Sequence, residues 1–267
     1  MMDSLSGHLE RLRSEGPLVH SITNYVVMNN TANALLAVGA SPVMAHALEE
    51  MEEMVGLASA LVVNIGTLSK KWVKSMELAM DVARRLNKPI IVDPVGAGAT
   101  SYRTHTVMEL MLRNHPTILR GNASEILSLT NASSQTKGVD SILESKDALA
   151  AAKLLAGQFG ATVVVSGKID LVVHGGQVYE VSNGHPLMGK VTGMGCCASV
   201  LCAAFAAVAG NPVEGACAAM ATMGAAGEKA AVEARGPGSF QVRFLDELYQ
   251  ISGESLEATA KVREISG

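Results

Sequence analysis

Apolar residues are distributed along the chain in two different patterns. Short continuous apolar runs, such as 61–65 and 162–165, are separated by longer segments in which apolar residues recur every three or four positions. Continuous runs are typical of strands covered on both faces, and the longer spacing is typical of amphipathic helices. Because the two patterns alternate from residue 17 to residue 165, we expect a three-layer α/β fold with a mostly parallel central sheet flanked by helices.

The periodicity also predicts where individual elements lie. Strand candidates share a short apolar run and lie at 17–22, 41–45, 61–65, 90–92, 117–119 and 162–165. Helix candidates share the longer spacing and lie at 4–15, 24–38, 48–55, 72–86, about 104–114, 147–159 and from 124 onward. Two more apolar runs, 170–174 and 177–181, flank a pair of glycines and predict a β-hairpin.

The C-terminal part is expected to be helical throughout. Alanine-rich apolar runs predict helices at about 195–209, 213–234 and 241–250, and we extend the helical prediction to the last residues. Residues 131–146 are polar and are predicted to form a surface excursion. Since no repeat or linker divides the sequence, we expect residues 1–267 to form a single domain.

Composition narrows the class of protein. The chain is 48% hydrophobic but only 3% aromatic, so its core must be built from Ala, Val, Leu, Ile and Met. A net charge of −4 without a basic block argues against a nucleic-acid partner. Charged residues interrupt the N-terminal segment, so we expect no signal peptide, and the apolar run 196–209 is shorter than the ~20 residues of a membrane span. Four cysteines without metal-ligand spacing indicate free thiols and a reducing, cytoplasmic location.

A glycine-rich stretch, Thr192–Cys196, leads into the apolar helix predicted from residue 195. The first N–H groups of a helix lack partners within the helix, and the helix dipole places partial positive charge there. Glycines also let an anion approach the backbone, so the stretch suits a phosphoryl group. It lacks the lysine of the nucleotidase phosphate loop and the third glycine of the dinucleotide fingerprint. An ordinary tight turn could have the same sequence, so both interpretations stay open.

Other candidate residues come directly after predicted strands. In open parallel α/β sheets, ligands bind beyond the carboxyl ends of the strands. This rule selects the positions that follow each strand, namely Asn24, Met44, Gly66, Asp93, Arg120 and Ser166, together with the glycine-rich stretch.

Two acidic residues could organise Mg²⁺ at this edge of the sheet. Asp93 ends an apolar strand before a proline, where it could cap a turn or hold the ion directly or through water. Glu125 stands near a predicted helix start, where a carboxylate also stabilises the helix by its charge. Arg120 could pair with a carboxylate or bind a phosphate through two N–H groups. Ser166 could belong to an ordinary turn or line a nucleotide pocket.

Cys196 stands at the start of the predicted helix, so we expect its pKa to be lowered and its sulfur to have some thiolate character. Such a thiol would suit a hydrolase, but no recognisable His and Asn or Asp set accompanies it. The alternative, a small buried apolar residue, is favoured for Cys197 and Cys202.

Several motifs, in this order, resemble the hydroxyethylthiazole kinases, a ribokinase-like family of thiamine salvage. The resemblance covers nearly all of residues 17–250 and rests on the segments His20–Val26, Asn29–Asn33, Asn64–Thr67, Asp93–Ala97, Arg120–Ile126 and Thr192–Cys196. The segment around Asn24 and the cysteine that ends the glycine loop point to this family in particular. The Asn122-x-x-Glu125 pattern and the glycine loop are shared with the wider superfamily.

The resemblance implies transfer of the γ-phosphoryl group of ATP to the primary alcohol of 4-methyl-5-(2-hydroxyethyl)thiazole. By motif, it implies that Met44 and Gly193 contact the thiazole, with Asn24 nearby. It also implies that members form trimers with active sites shared between subunits, so a homotrimer is expected.

For the nucleotide, the resemblance implies ATP contacts from Arg120 and Ser166 and Mg²⁺ binding by Asp93 and Glu125. The phosphate loop would be Gly193, Met194, Gly195 and Cys196. In most ribokinase-like enzymes an aspartate, the presumed base, ends this loop, whereas this chain has Cys196. We therefore expect Cys196 to orient the hydroxyl while the loop N–H groups hold the phosphoryl, since positioning supplies most of the catalysis of phosphoryl transfer.

Four other functions stay open from the sequence. The chain could phosphorylate a different small alcohol, such as a hydroxymethylpyrimidine, pyridoxal or a sugar. It could be a nucleotide-dependent dehydratase of hydrated NAD(P)H, although those enzymes usually end the glycine loop with Asp. The two remaining alternatives are a non-catalytic thiazole-binding module and the thiol hydrolase.

Overall fold

The structure is a computed structural model that describes residues 4–134 and 145–265. Its strands are β1 Leu18–Ile22, β2 Ser41–Val43, β3 Ala60–Asn64, β4 Ile90–Asp93, β5 Ile118–Asn122, β6 Thr162–Ser166, β7 Asp170–His174, β8 Gln177–Val181 and β9 Val262–Ile265. Its α-helices are α1 Leu5–Glu15, α2 Met28–Val38, α3 Met51–Leu57, α4 Lys70–Arg85, α5 Ser101–Arg113, α6 Ala123–Ser134, α7 Ser145–Phe159, α8 Met194–Val208, α9 Pro212–Val232, α10 Pro237–Gln250 and α11 Gly253–Thr259. Short 3₁₀ helices cover Leu48–Glu50 and Pro186–Lys190.

Within the described residues the strands form one sheet in the order β2-β1-β3-β4-β5-β6-β7-β8-β9. The first six strands in this order are parallel, and β7, β8 and β9 are antiparallel to their neighbours. The prediction of a mostly parallel sheet is therefore confirmed, and so is the predicted hairpin β7–β8. Parallel pairing brings the carboxyl ends of β1, β3, β4, β5 and β6 to one edge, where ligands bind in such folds.

Two hydrophobic cores cover the two faces of the sheet. Alternate residues of one strand point to opposite cores: Val62 of β3 packs with α1, α2 and α8–α11, whereas Val63 packs with α3–α7. Side chains on successive strand residues face opposite sides of a sheet, so a strand buried on both faces needs a continuous apolar run. This confirms the three layers, helix on sheet on helix, that the pattern predicted.

The helical prediction for the last residues is confirmed for Gly253–Thr259, which forms α11, and is wrong for the segment that follows it. Val262–Ile265 forms the edge strand β9, which pairs antiparallel with β8. The segment has apolar residues at its ends and two charged residues between them, and its ends are the less exposed positions. Pairing with β8 satisfies backbone groups of the hairpin edge that would otherwise face solvent. That edge lies far from this segment in sequence, so local periodicity did not indicate it.

Smaller differences concern element ends. The helix expected from Asn24 begins at Met28, because Asn24 accepts a hydrogen bond from the N–H of Val26 through its side chain and holds a turn there. Strand β5 continues to Asn122 instead of ending at Leu119. Of the surface excursion predicted for 131–146, residues 131–134 end α6, 145 and 146 begin α7, and 135–144 lie outside the described residues. No helix in the described parts of the chain has both the length and the apolar character to cross a membrane.

Candidate active site

The predicted site residues come together where five parallel strands meet the start of α8. Asn24 follows β1, Asp93 ends β4, Arg120 lies within β5 and Ser166 ends β6. Met44 follows the edge strand β2, where it is half-buried and takes no part in the hydrogen bonds that join the others. The structure therefore groups Asn24, Asp93, Arg120 and Ser166 with the glycine loop and leaves Met44 at the side.

The glycine loop begins α8 without a side-chain cap. Gly193, the N-cap residue, has a φ of 85°, which is a left-handed conformation suited to glycine. A Cβ at Gly193 would lie 2.9 Å from Cγ1 of Val27, so the site also lacks space for a larger residue. Since no side chain accepts the first N–H groups of α8, these groups can bind an anion together with the helix dipole.

A buried hydrogen-bond network joins Cys196 to Asp93. Asn64, at the end of β3, donates from Nδ2 to Asp93 Oδ2 at 2.8 Å and to Cys196 Sγ at 3.2 Å. Asn24 donates from Nδ2 to Asn64 Oδ1 at 2.9 Å and to Cys196 Sγ at 3.6 Å. Ser199, one turn into α8, donates to Asp93 Oδ2 at 2.8 Å. Sheet pairing explains part of this arrangement, because Asn64 and Asp93 are partners in the β3–β4 ladder.

Asp93 is a buried carboxyl group, and one of its two oxygens has no hydrogen-bond partner among the described residues. Burial raises its pKa to about 6, against the opposing effects of the Arg120 charge and the hydrogen bond from Ser199. Its Oδ1 atom has no hydrogen-bond partner among the described residues. A buried carboxylate oxygen that lacks a partner is costly unless a cation or a proton reaches it, so Asp93 suits a bound cation.

Glu125 is held by backbone N–H groups. Its Oε1 accepts from Gly96 at 2.9 Å and its Oε2 accepts from Asn122 at 2.8 Å. Arg103 holds the same loop from another side, donating to the carbonyl oxygen of Val95 at 2.7 Å. The carboxylate of Glu125 thus fixes the loop after β4 and remains close enough to Asp93 to raise its pKa. Within residues 4–134 and 145–265, no three His, Cys, Asp or Glu side chains are grouped to hold a metal ion.

The prediction of a lowered pKa for Cys196 is wrong. Burial raises the pKa of the thiol to about 12, and the neighbouring charge of Asp93 raises it further. The hydrogen bonds from Asn64 and Asn24 oppose this shift without overcoming it. Cys196 is therefore a neutral thiol at pH 7, and the thiol hydrolase alternative loses the thiolate that it requires.

Arg120 lies on the other side of the glycine loop. Its Nη2 donates to Ser166 Oγ at 2.6 Å, and its Nε has no partner in the described structure. The backbone of Gly195 approaches the guanidinium so closely that a Cβ would lie 2.8 Å from Nη1. A cavity of about 690 Å³ opens beside them, lined by Arg120, Ser166, Asp170, Gly193 and Gly195 among others. Its size and its cation suit a nucleotide with its phosphates toward α8.

Sequence reasoning missed three polar residues of this site. Asn64 ends strand β3, just as Asp93 ends β4. The rule for strand ends could therefore have selected Asn64, but it was applied to Gly66, two residues later. Ser199 and Asp170 gave no local signal, since one is inside an apolar helix and the other begins a hairpin strand. Burial raises the pKa of Asp170 to about 6, against the opposing hydrogen bond from Gly167.

The layered sheet with its flanking helices has a ribokinase-like fold. A ribokinase-like superfamily protein from Enterococcus faecalis superposes with a TM-score of 0.65 at 13% identity, covering 92% of this chain and 89% of that one. This similarity establishes the fold alone.

The sequence model of the hydroxyethylthiazole kinase family matches residues 9–254, and the chain belongs to that family. A hydroxyethylthiazole kinase from Oleidesulfovibrio alaskensis is 55% identical over 254 residues, which are 95% of this chain and 96% of the relative. The structure of the hydroxyethylthiazole kinase protein from Pyrococcus horikoshii superposes with a TM-score of 0.91 at 46% identity, covering 98% of both chains. The protein is therefore an enzyme of the kinase class.

Proposed function

We propose that this enzyme transfers the γ-phosphoryl group of ATP to the hydroxyethyl group of 4-methyl-5-(2-hydroxyethyl)thiazole, in thiamine salvage. The observation that carries the proposal is the start of α8. Uncapped N–H groups there face a site that has Arg120 on one side and the Asp93–Asn64–Cys196 network on the other. Relatives that share at least half of their residues with this chain bear the name of that kinase.

ATP would occupy the cavity beside Arg120. Arg120 and Ser166 would contact its phosphates, and the N–H groups of Gly193–Cys196 would hold the phosphoryl group in transfer. The unpartnered Nε of Arg120 supports this placement, because a buried guanidinium donor needs an acceptor that an anion supplies. Donors that are already in place for the developing charge need no reorganisation during the reaction.

Asp93 would hold Mg²⁺, with Glu125 organising the ion through water or the neighbouring loop. The unpartnered, buried Oδ1 of Asp93 fits this role. Bound Mg²⁺ neutralises charge on the β- and γ-phosphates. The small number of carboxylates agrees with the preference of Mg²⁺ for one or two protein carboxylates together with phosphate oxygens and water.

The alcohol would bind beside Cys196, with Gly193, Asn24 and Met44 around the thiazole ring. Its oxygen would form a bond to the γ-phosphorus while the bond from phosphorus to the bridging oxygen of ADP breaks, and the hydroxyl proton would pass to an oxygen of the transferred phosphoryl group. In a loose transition state the attacking oxygen needs little help from a base, so a neutral thiol suffices to orient the hydroxyl. The raised pKa of Cys196 favours this orienting role over proton removal.

The assembly and location are also part of the proposal. We propose a single-domain subunit, because one sheet extends through the described chain, and a homotrimer with shared active sites. Tyr25 and Val26 support the trimer, since both are 64% exposed directly after Asn24 and would be covered by a neighbouring subunit. Four free cysteines support a cytoplasmic location. Light scattering of the purified protein tests the trimer, and a monomer at all concentrations would refute it.

The decisive experiment is ADP release with hydroxyethylthiazole as the acceptor alcohol. A hydroxymethylpyrimidine, pyridoxal and a sugar serve as competing acceptors, and hydrated NADH tests the dehydratase alternative. Turnover that is fastest with hydroxyethylthiazole, and that requires Mg²⁺, supports the proposal. Thiazole binding without any turnover in the presence of Mg²⁺ and ATP would instead indicate a binding module.

The role of Cys196 is tested by replacement with Ala and with Asp. Loss of turnover in Cys196→Ala with intact ATP binding supports a role at the acceptor hydroxyl. Unchanged turnover would remove the thiol from the mechanism. A faster Cys196→Asp enzyme would show that proton removal partly limits the native reaction.

A further inference from the structure

We propose that Asn64 is a positioning residue that holds the sulfur of Cys196 as a hydrogen-bond acceptor and so directs its S–H group to the acceptor alcohol. The inference rests on the proposed function, because the alcohol is the ligand that would receive the S–H group. It assigns a part in the reaction to Asn64, which belongs to the Asn64–Thr67 segment but receives no role from the resemblance.

The orientation of the Asn64 amide is determined by its partners. The backbone N–H of Gly66 donates to Oδ1 at 3.0 Å, and Asp93 Oδ2 receives a hydrogen bond from Nδ2 at 2.8 Å. A backbone N–H cannot accept a hydrogen bond, so the oxygen of the amide must face Gly66 and the amide cannot be turned over. The amino group must therefore face Cys196, and it lies 3.2 Å from Sγ.

The side-chain amide of Asn24 also directs its amino group toward Cys196, and a different contact fixes its orientation. The backbone N–H of Val26 donates to its Oδ1 at 3.2 Å, which directs Nδ2 toward Asn64 Oδ1 and Cys196 Sγ. Both amides that contact the sulfur are thus donors, and neither can accept the thiol hydrogen. Asn64 is 1% exposed and Asn24 is 4% exposed, so water does not compete for these contacts.

We assign the S–H group to the open side of the site, which leaves the unpartnered Oδ1 of Asp93 to the cation of the proposed function. Cys196 is half-buried at the start of α8, and its network partners occupy the buried side. A neutral thiol can act as a weak donor and as a weak acceptor. Because both amides donate to the sulfur, Cys196 is the acceptor toward them, and its S–H group stays available as a donor to the alcohol. Asn64 thereby lets a protonated cysteine orient the alcohol oxygen, and no proton leaves Cys196.

A double-mutant cycle tests whether Asn64 acts through Cys196. Asn64→Leu should lower kcat about tenfold, within the range of coupling between contacting side chains, and leave the KM for ATP within about twofold. In a Cys196→Ala background, the same substitution should lower kcat several-fold less, and the loss that remains comes from the hydrogen bond that Asn64 also donates to Asp93 Oδ2. Independent, multiplicative losses would overturn the proposal.

Asn64→Asp is the second variant, in case leucine prevents folding. It keeps the size of the side chain and the oxygen that accepts from Gly66 N–H, but an oxygen replaces the amino group that faces both Cys196 and Asp93 Oδ2. The thiol should then donate to the introduced carboxyl group and turn away from the alcohol, which should shift its S–H stretching band whatever happens at Asp93. A band identical to that of the native protein would overturn the proposal.

An infrared measurement separates this inference from the proposed activity. The S–H stretching band that disappears in Cys196→Ala belongs to Cys196; it should shift in Asn64→Leu and, in the native enzyme, on addition of hydroxyethylthiazole. Asn114→Leu is the matched control, because Asn114 is buried and donates to Asp81 at 2.6 Å outside the network. It should leave both the band and kcat unchanged.

The outcomes can be told apart. Absence of phosphoryl transfer in the native enzyme would refute the proposed activity. The S–H stretching band of Cys196 in the ligand-free protein would still show whether Asn64 holds the sulfur. A Cys196 band that is identical in the native protein and in Asn64→Leu would overturn the inference even if the enzyme phosphorylates hydroxyethylthiazole.

Discussion

Gly195 is a position at which helix stability and phosphate binding should conflict. It lies in the first turn of α8, and a Cβ there would be 2.8 Å from Nη1 and 3.4 Å from Nη2 of Arg120. Nonbonded carbon contacts are most favourable at about 3.5 Å or more, so Gly195→Ala must displace the guanidinium by roughly 0.7 Å. The guanidinium cannot yield freely, because Arg120 is buried and donates to Ser166 Oγ at 2.6 Å.

The displacement should affect catalysis much more than stability. Misplacing a binding group by about 1 Å can cost about 100-fold in rate, so we expect kcat/KM for ATP to fall by about 10- to 100-fold. Alanine favours a helix over glycine by up to about 1 kcal/mol, which offsets part of the steric cost. The free energy of unfolding should therefore change by less than about 1 kcal/mol.

The assays are ADP release at varied ATP and unfolding by urea. Gly157→Ala is the matched control, since Gly157 lies in α7 and a Cβ there would meet no atom within 4 Å. It should raise the free energy of unfolding by about 0.5 to 1 kcal/mol and leave the kinetics unchanged. Native kcat/KM for ATP in Gly195→Ala would refute the placement of the phosphates between α8 and Arg120.

Three further predictions follow from buried or partly buried polar groups. Asp93→Asn should raise the free energy of unfolding at pH 7 by about 2 to 3 kcal/mol while abolishing activity, because burial raises the pKa of Asp93 to about 6 and folding opposes its ionisation. This gain should shrink toward pH 4, where the folded carboxyl is protonated, and melting curves with an equal gain at both pH values would contradict it. Lys88→Met should lower the free energy of unfolding by about 1 to 2 kcal/mol, because Nζ donates to three carbonyls at the end of Met51–Leu57 and just beyond it. Unfolding by urea measures this loss, with Lys74→Met at an exposed position as the control. An equal loss in both variants would refute this cause. Iodoacetamide should modify Cys196 slowly at pH 7 because the pKa of its thiol is raised to about 12, and rapid stoichiometric labelling of this residue by mass spectrometry would contradict that value.

Local patterns predicted most of the fold. The apolar runs of β3, β4 and β6 predicted buried strands because both faces of each strand are covered by helices. The strand β9 could not be predicted in this way, because its four residues gain a structure only by pairing with β8, about eighty positions earlier. Its assignment depends on a long-range contact that periodicity does not contain.

The candidate site was predicted in part. The rule for strand ends selected Asp93, Arg120 and Ser166, and the structure brings them to one edge with the glycine loop. The same reasoning misjudged the protonation of Cys196, because a helix N-terminus lowers a thiol pKa only where burial and a nearby carboxylate do not oppose it. Burial is a property of the assembled core and is absent from the sequence around residue 196.

The sequence by itself determined the layered α/β architecture, the strand ends that carry the polar residues and the glycine loop before α8, since these depend on neighbours within a few positions. The tertiary structure alone decided which polar groups touch. Asn64, Asp93, Cys196 and Ser199 belong to three different elements, and only parallel pairing of β3 with β4, with α8 packed across their ends, makes them one network. Hydrogen-bond polarity and pKa follow from that burial, because both depend on the atoms that exclude water.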